Sequence, residues 1–359
     1  MKIDSDDVAD LAAGATLLGS GGGGDTATVA LMLQHTLTRL GPVHLIEAME
    51  LFPRAMVAPI AATGSITLLS ERLPAGHEFQ HAVTTLGQTL GTPVSALMGF
   101  EVGGANALFA VAAAAWTGLP LIDADGMGRA FPRIDQVTFN AAGLSATPAV
   151  LADPLGNHMV IAQSRDNGDA ERMLRAAMPS LGGWAATAIY PMQAAQAARH
   201  AITGSIRGAL ALGRLLRAAQ RHRSERAAMQ AEFDAELLFS GGILQVLRHA
   251  RPRTGGTVTI EHRRDSRRTL RVEVGEEYRL AIDDGRVVAA VPDIICVLDA
   301  LTWQPISAEH IAPGREVDVL KLPAPVHWTL PQARDLVSPP AFGLTLLDED
   351  LGGPIAWLR

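Results

Sequence analysis

Two short segments hold the residue types that could do chemistry. One is Glu101-Val102-Gly103-Gly104-Ala105-Asn106, the other Asp123-Ala124-Asp125-Gly126-Met127-Gly128-Arg129. Each follows an apolar run that reads as a strand, and open α/β sheets place their ligand sites beyond the carboxyl ends of strands. Glu101 could act as an acid or base, Gly103 and Gly104 would let a ligand approach the backbone, and Asn106 offers a donor and an acceptor. Asp123 and Asp125 could hold a cation or divide acid and base roles. Arg129 could neutralise them or hold a substrate carboxylate. Capping turns and a carboxylate–arginine clasp would account for the same residues. Two such loops after neighbouring strands weigh more toward a site than either does alone.

A third segment is the run Gly19-Ser20-Gly21-Gly22-Gly23-Gly24-Asp25. Gly19, Gly21 and Gly24 fit G-x-G-x-x-G, and Glu47 lies where a ribose-binding acid would follow. That fingerprint must follow a strand, however, and this run follows a helical pattern. No Lys-Ser/Thr closes it as a P-loop would. What remains is a ligand-approaching turn, Ser20, Gly21, Gly22, Gly23, Gly24 and Asp25, with free N–H groups for negative charge at a helix start. His77-Glu78-Phe79-Gln80-His81 matches the zinc motif H-E-x-x-H. Pro74-Ala75-Gly76 places it in the first turn of a helix, so it reads as an exposed helix start. A zinc hydrolase using His77 and His81 stands as the lesser alternative. No cofactor is expected, and a divalent metal on the carboxylates stays open.

The elements that must position these residues alternate. Helical spacing covers 8–18, with Ser5 as its cap, and 26–40, capped by Asp25. Strands are expected over 43–46, 56–62, 94–100 and 120–122, and helices over 77–90 and 103–116. Continuous apolar strands of this kind need a sheet covered on both faces. Two further strands flank 153–157. The longest helical signal runs over 206–239, opened by Thr203 as cap. Beyond residue 241 short runs separated by turns, with Asp283-Asp284-Gly285 as a hairpin, indicate an all-β module, barrel or sandwich. The expected architecture is therefore an α/β layered N-terminal domain, 1–165, and a C-terminal domain, 166–359, with a long helix and then the β-rich module.

Composition narrows the class. A formal charge of −7 argues against nucleic acid as the main partner. The single cysteine, Cys296, excludes an internal disulfide and reads as a small buried strand residue. The opening Met-Lys-Ile-Asp-Ser-Asp-Asp is too acidic for a signal peptide, and the longest apolar stretch is too short to span a bilayer. A cytoplasmic protein with a small-molecule substrate and no membrane partner is expected; homo-oligomers stay open.

With these residues assembled, the chain resembles the DUF917 family, whose members are also described as S-methyl thiohydantoin desulfurase domain proteins. The matching segments are Leu18 to Asp25, Glu101 to Asn106 and Asp123 to Pro132. Thr203 to Gly208 and Pro292-Asp293-Ile294-Ile295 match more weakly. The resemblance implies an N-terminal α/β domain, a β-barrel-like module in the C-terminal part, and hydrolytic desulfuration of a hydantoin-like ring. Where the family pattern would have Asn-Glu before the C-terminal hairpin, this chain has Glu276-Glu277, and no site residue is assigned to that domain. The expectation is a hydrolase of a hydantoin-like cyclic substrate. In it Asp123 or Asp125 activates water and Glu101 donates a proton, while Asn106 and the glycine turn meet negative charge and Arg129 anchors a carboxylate. The alternative from another class is a non-catalytic ligand-binding partner of a hydantoinase-type enzyme.

Overall fold

Small residues decide how the first helix packs. Val8–Leu18 lies against the long helix Ser205–Arg221 so closely that a Cβ on Gly14 would fall 1.9 Å from the Ala209 carbonyl oxygen. On the solvent side Arg214 pairs with Asp7 and Asp10, and Arg217 with Asp10. These pairs neutralise part of the basic face of that helix. The computed structural model describes residues 1–248 and 255–344; positions 249–254 and 345–359 of the second predicted domain lie outside them.

The first sheet has the order Lys2–Ile3, Val43–Ile46, Leu121–Ile122, Val94–Gly99, Met56–Gly64, Trp184–Ala188, Ala149–Ala152, His158–Ile161. Its four central-to-edge strands from Val43–Ile46 to Met56–Gly64 are parallel, and Trp184–Ala188 adds to them antiparallel. One face packs on the helices Thr26–Leu40, His77–Leu90 and Ala105–Thr117, the other on Asn167–Ala177, Ala194–His200 and Pro331–Val337. Strands buried on both faces explain why their sequences are unbroken apolar runs. Strands from beyond residue 165, Trp184–Ala188 and Met192–Gln193, both pair with Met56–Gly64.

The second sheet is antiparallel, seven strands in the order Arg286–Ala290, Tyr278–Asp283, Asp265–Val274, Gly256–His262, Glu236–Arg248, Glu316–Leu322, Ile294–Asp299. Its two edge strands are consecutive in the chain, so the sheet bends round as a half-barrel. The hairpin at Asp284 and Gly285 has both residues at positive φ, as a tight two-residue turn requires. The helical expectation over 206–239 is corrected here. The helix stops at Arg221, a short one follows at Arg226–Glu232, and Leu237, Leu238 and Phe239 belong to a strand. An apolar triplet fits either period, and pairing with Glu316–Leu322 decides it. The first helix likewise starts at Val8 after Asp7, with no side-chain cap from Ser5. Among the described residues no helix is long and apolar enough to cross a membrane.

Candidate functional site

The glycine turn is a junction between the two halves of the molecule. Ser20 donates to the Ile295 carbonyl (2.9 Å) and accepts from its N–H (3.1 Å). The Tyr278 N–H donates to the Ser20 carbonyl and the Ala308 N–H to that of Gly21, each at 2.8 Å. A Cβ on Gly21, whose φ is +85°, would meet the Tyr278 ring at 2.4 Å. One on Gly22 would meet the Glu277 Cγ at 2.7 Å, and one on Gly23 the Gly104 Cα at 2.8 Å. Side chains are excluded because three chain segments converge. Asp25 fills the start of the next helix itself, accepting from the N–H groups of Ala27 (2.9 Å) and Thr28 (3.4 Å). The N–H groups of Gly23 and Gly24 have no partner among the described residues.

The loop that follows Glu101 packs on this turn: Gly104 lies against Gly23, and the Ala105 N–H donates to the Gly23 carbonyl (2.7 Å). Gly103 lies against the Ala130 backbone, and the Gly104 N–H donates to the Ala15 carbonyl (2.7 Å), which locks the segment onto the first helix. Asn106 accepts the Ala62 N–H on its Oδ1 (2.8 Å), so its Nδ2 faces Glu101 and donates to Oε1 at 2.6 Å. The other oxygen, Oε2, is buried. Burial pushes the Glu101 carboxyl up to about 8, the hydrogen bonds from Asn106 and from the Phe131 backbone oppose this, and the charges of Glu277 and Asp125 add to it.

The acidic turn divides its two carboxylates between different tasks. Asp125 is fully buried, and its Oδ2 accepts from Gly128 (2.7 Å), Met127 and Val102 (3.0 Å each). Burial raises it to about 6 against those three N–H groups. The Ser205 hydroxyl lies beside the carboxylate and also favours its charged form. Asp123 points elsewhere. It accepts from the N–H groups of Ile206 (2.9 Å) and Arg207 (3.2 Å) and from the Arg207 guanidinium. It is therefore the cap of the helix Ser205–Arg221, a part assigned from sequence to Thr203, while Gly204 occupies the cap position in left-handed conformation. Arg207 also pairs with Glu47, the residue that resembled a ribose-binding acid.

Arg129 is fully buried and faces the second domain rather than a ligand. It donates through Nε to the Ala130 carbonyl (3.0 Å) and through Nη1 to those of Pro292 (2.9 Å) and Asp293 (2.6 Å). Its guanidinium lies over the Phe131 ring at 4.8 Å. In place of a clasp on the carboxylates of its own turn, the guanidinium clasps backbone carbonyls of the second domain. Burial pulls its pKa down to about 10.

One residue of the cluster was not assigned from sequence. Glu277 stands in the turn between Asp265–Val274 and Tyr278–Asp283, and it is only 3% exposed. Its carboxylate lies 3.8 Å from the Arg279 guanidinium and is also met by its own backbone N–H, while its carbonyl accepts the Gly275 N–H (2.8 Å). Burial raises it to about 7, with Arg279 opposing and Glu276 reinforcing. Two adjacent acids in a hairpin turn read as solvated; Glu276 is exposed, and only Glu277 is buried, its Cγ against Gly22. Three buried carboxylates, Glu101, Asp125 and Glu277, thus gather near two guanidiniums, Arg129 and Arg279, where the domains meet. Two surface cavities, of about 690 and 250 Å³, lie away from this cluster, the larger along Gln80, Val83, Gly87 and Leu119.

The H-E-x-x-H segment is built as a helix start, but its glutamate is not solvated. Glu78 is buried and accepts from the N–H groups of Ala75 (3.2 Å) and Gly76 (2.9 Å). His81 packs on His158 with ring centres 4.6 Å apart. Among the described residues no group of three His, Cys, Asp or Glu is arranged to hold a metal ion. Cys296 is buried in its strand as expected, its thiol pushed up to about 12 by burial.

Residues 6–163 match the S-Me-THD-like N-terminal domain and residues 165–350 the S-Me-THD-like C-terminal domain. A crystal structure of a protein from Chromobacterium violaceum shares the fold, with a TM-score of 0.75 and 23% identity over 93% of this chain and 95% of that one. No functionally curated protein matches. Matched in order across both halves, the chain belongs to the S-Me-THD-like (DUF917) family.

Proposed function

We propose that the protein is a hydrolase of hydantoin-like five-membered rings and that an S-methyl thiohydantoin is its substrate class. The observation that carries this is the pair of buried carboxylates on adjoining loops, Glu101 held by Asn106 and Asp125 by three backbone N–H groups, close to a glycine turn whose Gly23 and Gly24 N–H groups have no partner among the described residues. Burial raises both, Glu101 further, to about 8, than Asp125, to about 6, which suits the first to donate a proton and the second to accept one. The family description supplies the substrate class.

In this reading Asp125 takes one proton from water as the hydroxyl oxygen bonds to the ring carbon bearing sulfur and the C=N electron pair moves to the ring nitrogen. The carbon–sulfur bond then breaks, Glu101 protonates the departing thiolate and the proton left on the added hydroxyl passes to the ring nitrogen, giving a ring carbonyl, a ring N–H and a free thiol; passage of the Asp125 proton to Glu101 restores both groups. The N–H groups of Gly23 and Gly24 would meet charge developing on the ring. Asn106 keeps Glu101 oriented. Asp123 and Arg129 act on structure, as helix cap and interdomain clasp. Incubating the pure protein with S-methyl thiohydantoins and hydantoins and assaying released thiol tests the reading. Glu101→Gln and Asp125→Asn should each lower turnover on the order of 10²–10⁴-fold, the usual worth of a general acid or base, with an unchanged circular dichroism spectrum. Near-normal rates in both variants would overturn it. Tight binding of the same compounds without turnover would favour the non-catalytic partner instead.

A further inference from the structure

Two of the three N–H groups that hold Asp125 come from one tight turn, Gly126-Met127-Gly128. A peptide unit is planar, so whatever fixes its carbonyl also fixes the direction of its N–H. The Met127 N–H shares its peptide with the Gly126 carbonyl, and that oxygen accepts the Thr138 N–H (2.9 Å). The Gly128 N–H, which makes the shortest of the three bonds to Asp125 at 2.7 Å, shares its peptide with the Met127 carbonyl. That oxygen accepts the indole Nε1–H of Trp328, also at 2.7 Å. A carbonyl held in this way polarises its own peptide, which strengthens the N–H as a donor.

Trp328 comes from the C-terminal part of the chain, in the short turn Val326–Thr329, and is fully buried. Phe131 meets its ring edge-on, with centres 5.3 Å apart. A Cβ on Gly128 would fall 2.4 Å from the Pro325 ring, and one on Gly126 would meet the Phe139 ring at 2.7 Å. The turn is thus packed between rings, and a single side-chain bond sets its peptide nearest Asp125. We propose that Trp328 is a positioning residue for Asp125: its indole N–H holds the Met127–Gly128 peptide so that the Gly128 N–H points at the carboxylate. The C-terminal part of the chain then contributes to the centre. The proposal rests on reading Asp125 as the base. The three N–H groups oppose the burial that raises this carboxyl to about 6. Loosening one of them favours the protonated form, and a base that keeps its proton is idle. The other groups at the carboxylate, the Val102 N–H that follows Glu101 and the Ser205 hydroxyl, lie outside the turn that Trp328 holds.

Infrared titration of protonated carboxyl groups in the full-length protein reads Asp125 without any substrate. The band lost in Asp125→Asn assigns it, and in the wild type it should titrate near pH 6. Trp328→Phe keeps a buried ring and removes the indole N–H. The midpoint should then rise by roughly half to one pH unit, the size of one weakened hydrogen bond to a carboxylate. Trp303→Phe removes a comparable buried bond, to Asp318 at 3.0 Å, in another core cluster, and should leave the midpoint in place. An unmoved midpoint in folded Trp328→Phe rules the proposal out, as does an equal rise in Trp303→Phe. If Trp328→Phe does not fold, Pro325→Ala, which frees Gly128 of the proline ring, decides the matter by the same rise or its absence. Where thiol is released, the acid limb of the kcat profile should move with the midpoint. Absence of thiol release in the wild type would count against the hydrolase reading alone, because Asp125 is titrated independently of turnover.

Discussion

Glu101, Asp125 and Glu277 are all raised by burial, and this has a consequence for stability that needs no substrate. A carboxyl whose proton affinity is higher in the folded chain stabilises the fold fully at acid pH, below its unfolded value. That contribution is lost as pH rises through the folded values, here between about 6 and about 8. We expect the melting temperature to decline across this window, and Glu101→Gln to melt a few degrees above wild type at pH 9 while differing little at pH 5. Scanning calorimetry across pH checks this; a variant no more stable than wild type at pH 9 would contradict it. Glu101 and Asp125 could be picked from sequence because each follows a strand whose apolar run is unmistakable. Glu277 could not, since its burial is imposed by Ser20 and Gly22, more than 250 positions away.

Elements with a strong local period were legible. The helices Thr26–Leu40 and His77–Leu90 and the strand Val43–Ile46 begin and end where spacing and flanking turns place them, and two strands, Ala149–Ala152 and His158–Ile161, flank 153–157 as expected. Elements defined by distant partners were not. Leu237 to Phe239 continue a helical pattern until strand pairing claims them, and the cap of Ser205–Arg221 comes from Asp123 on another element. Removing that cap gives a prediction at this scale. Asp123→Ala should cost about 2 kcal/mol, the upper end of N-cap losses, because the Arg207 contact goes with it. Urea denaturation measures it, and a loss no larger than that of an exposed substitution would deny Asp123 its structural part.

At the scale of the molecule, the strands Trp184–Ala188 and Met192–Gln193 bind the halves into one folding unit. A chain ending at residue 165 lacks the strand that joins Met56–Gly64 to Ala149–Ala152. We expect such a fragment to lack a cooperative melting transition by circular dichroism, while a sharp transition would show the first half to be self-sufficient. The half-barrel carries a further consequence. Among the described residues its strand Ile294–Asp299 has a ladder on one side, with Glu316–Leu322. The other edge is covered at its far end by the chain's own return: Ile306 donates to Val297 (2.8 Å), Asp299 donates to Gln304 (2.9 Å) and Trp303 donates back to Asp299 (2.7 Å). Its start is covered from the N-terminal half, where the Ser20 hydroxyl meets both backbone groups of Ile295 and Arg129 takes the carbonyls just before the strand. Any parting of the halves bares that end of the strand, a surface on which separate chains join edge to edge. Ser20→Val should accordingly aggregate faster than wild type below its melting temperature, as followed by light scattering, and an unchanged rate would show the edge to be guarded without it. Docking in this protein is then also a safeguard of solubility.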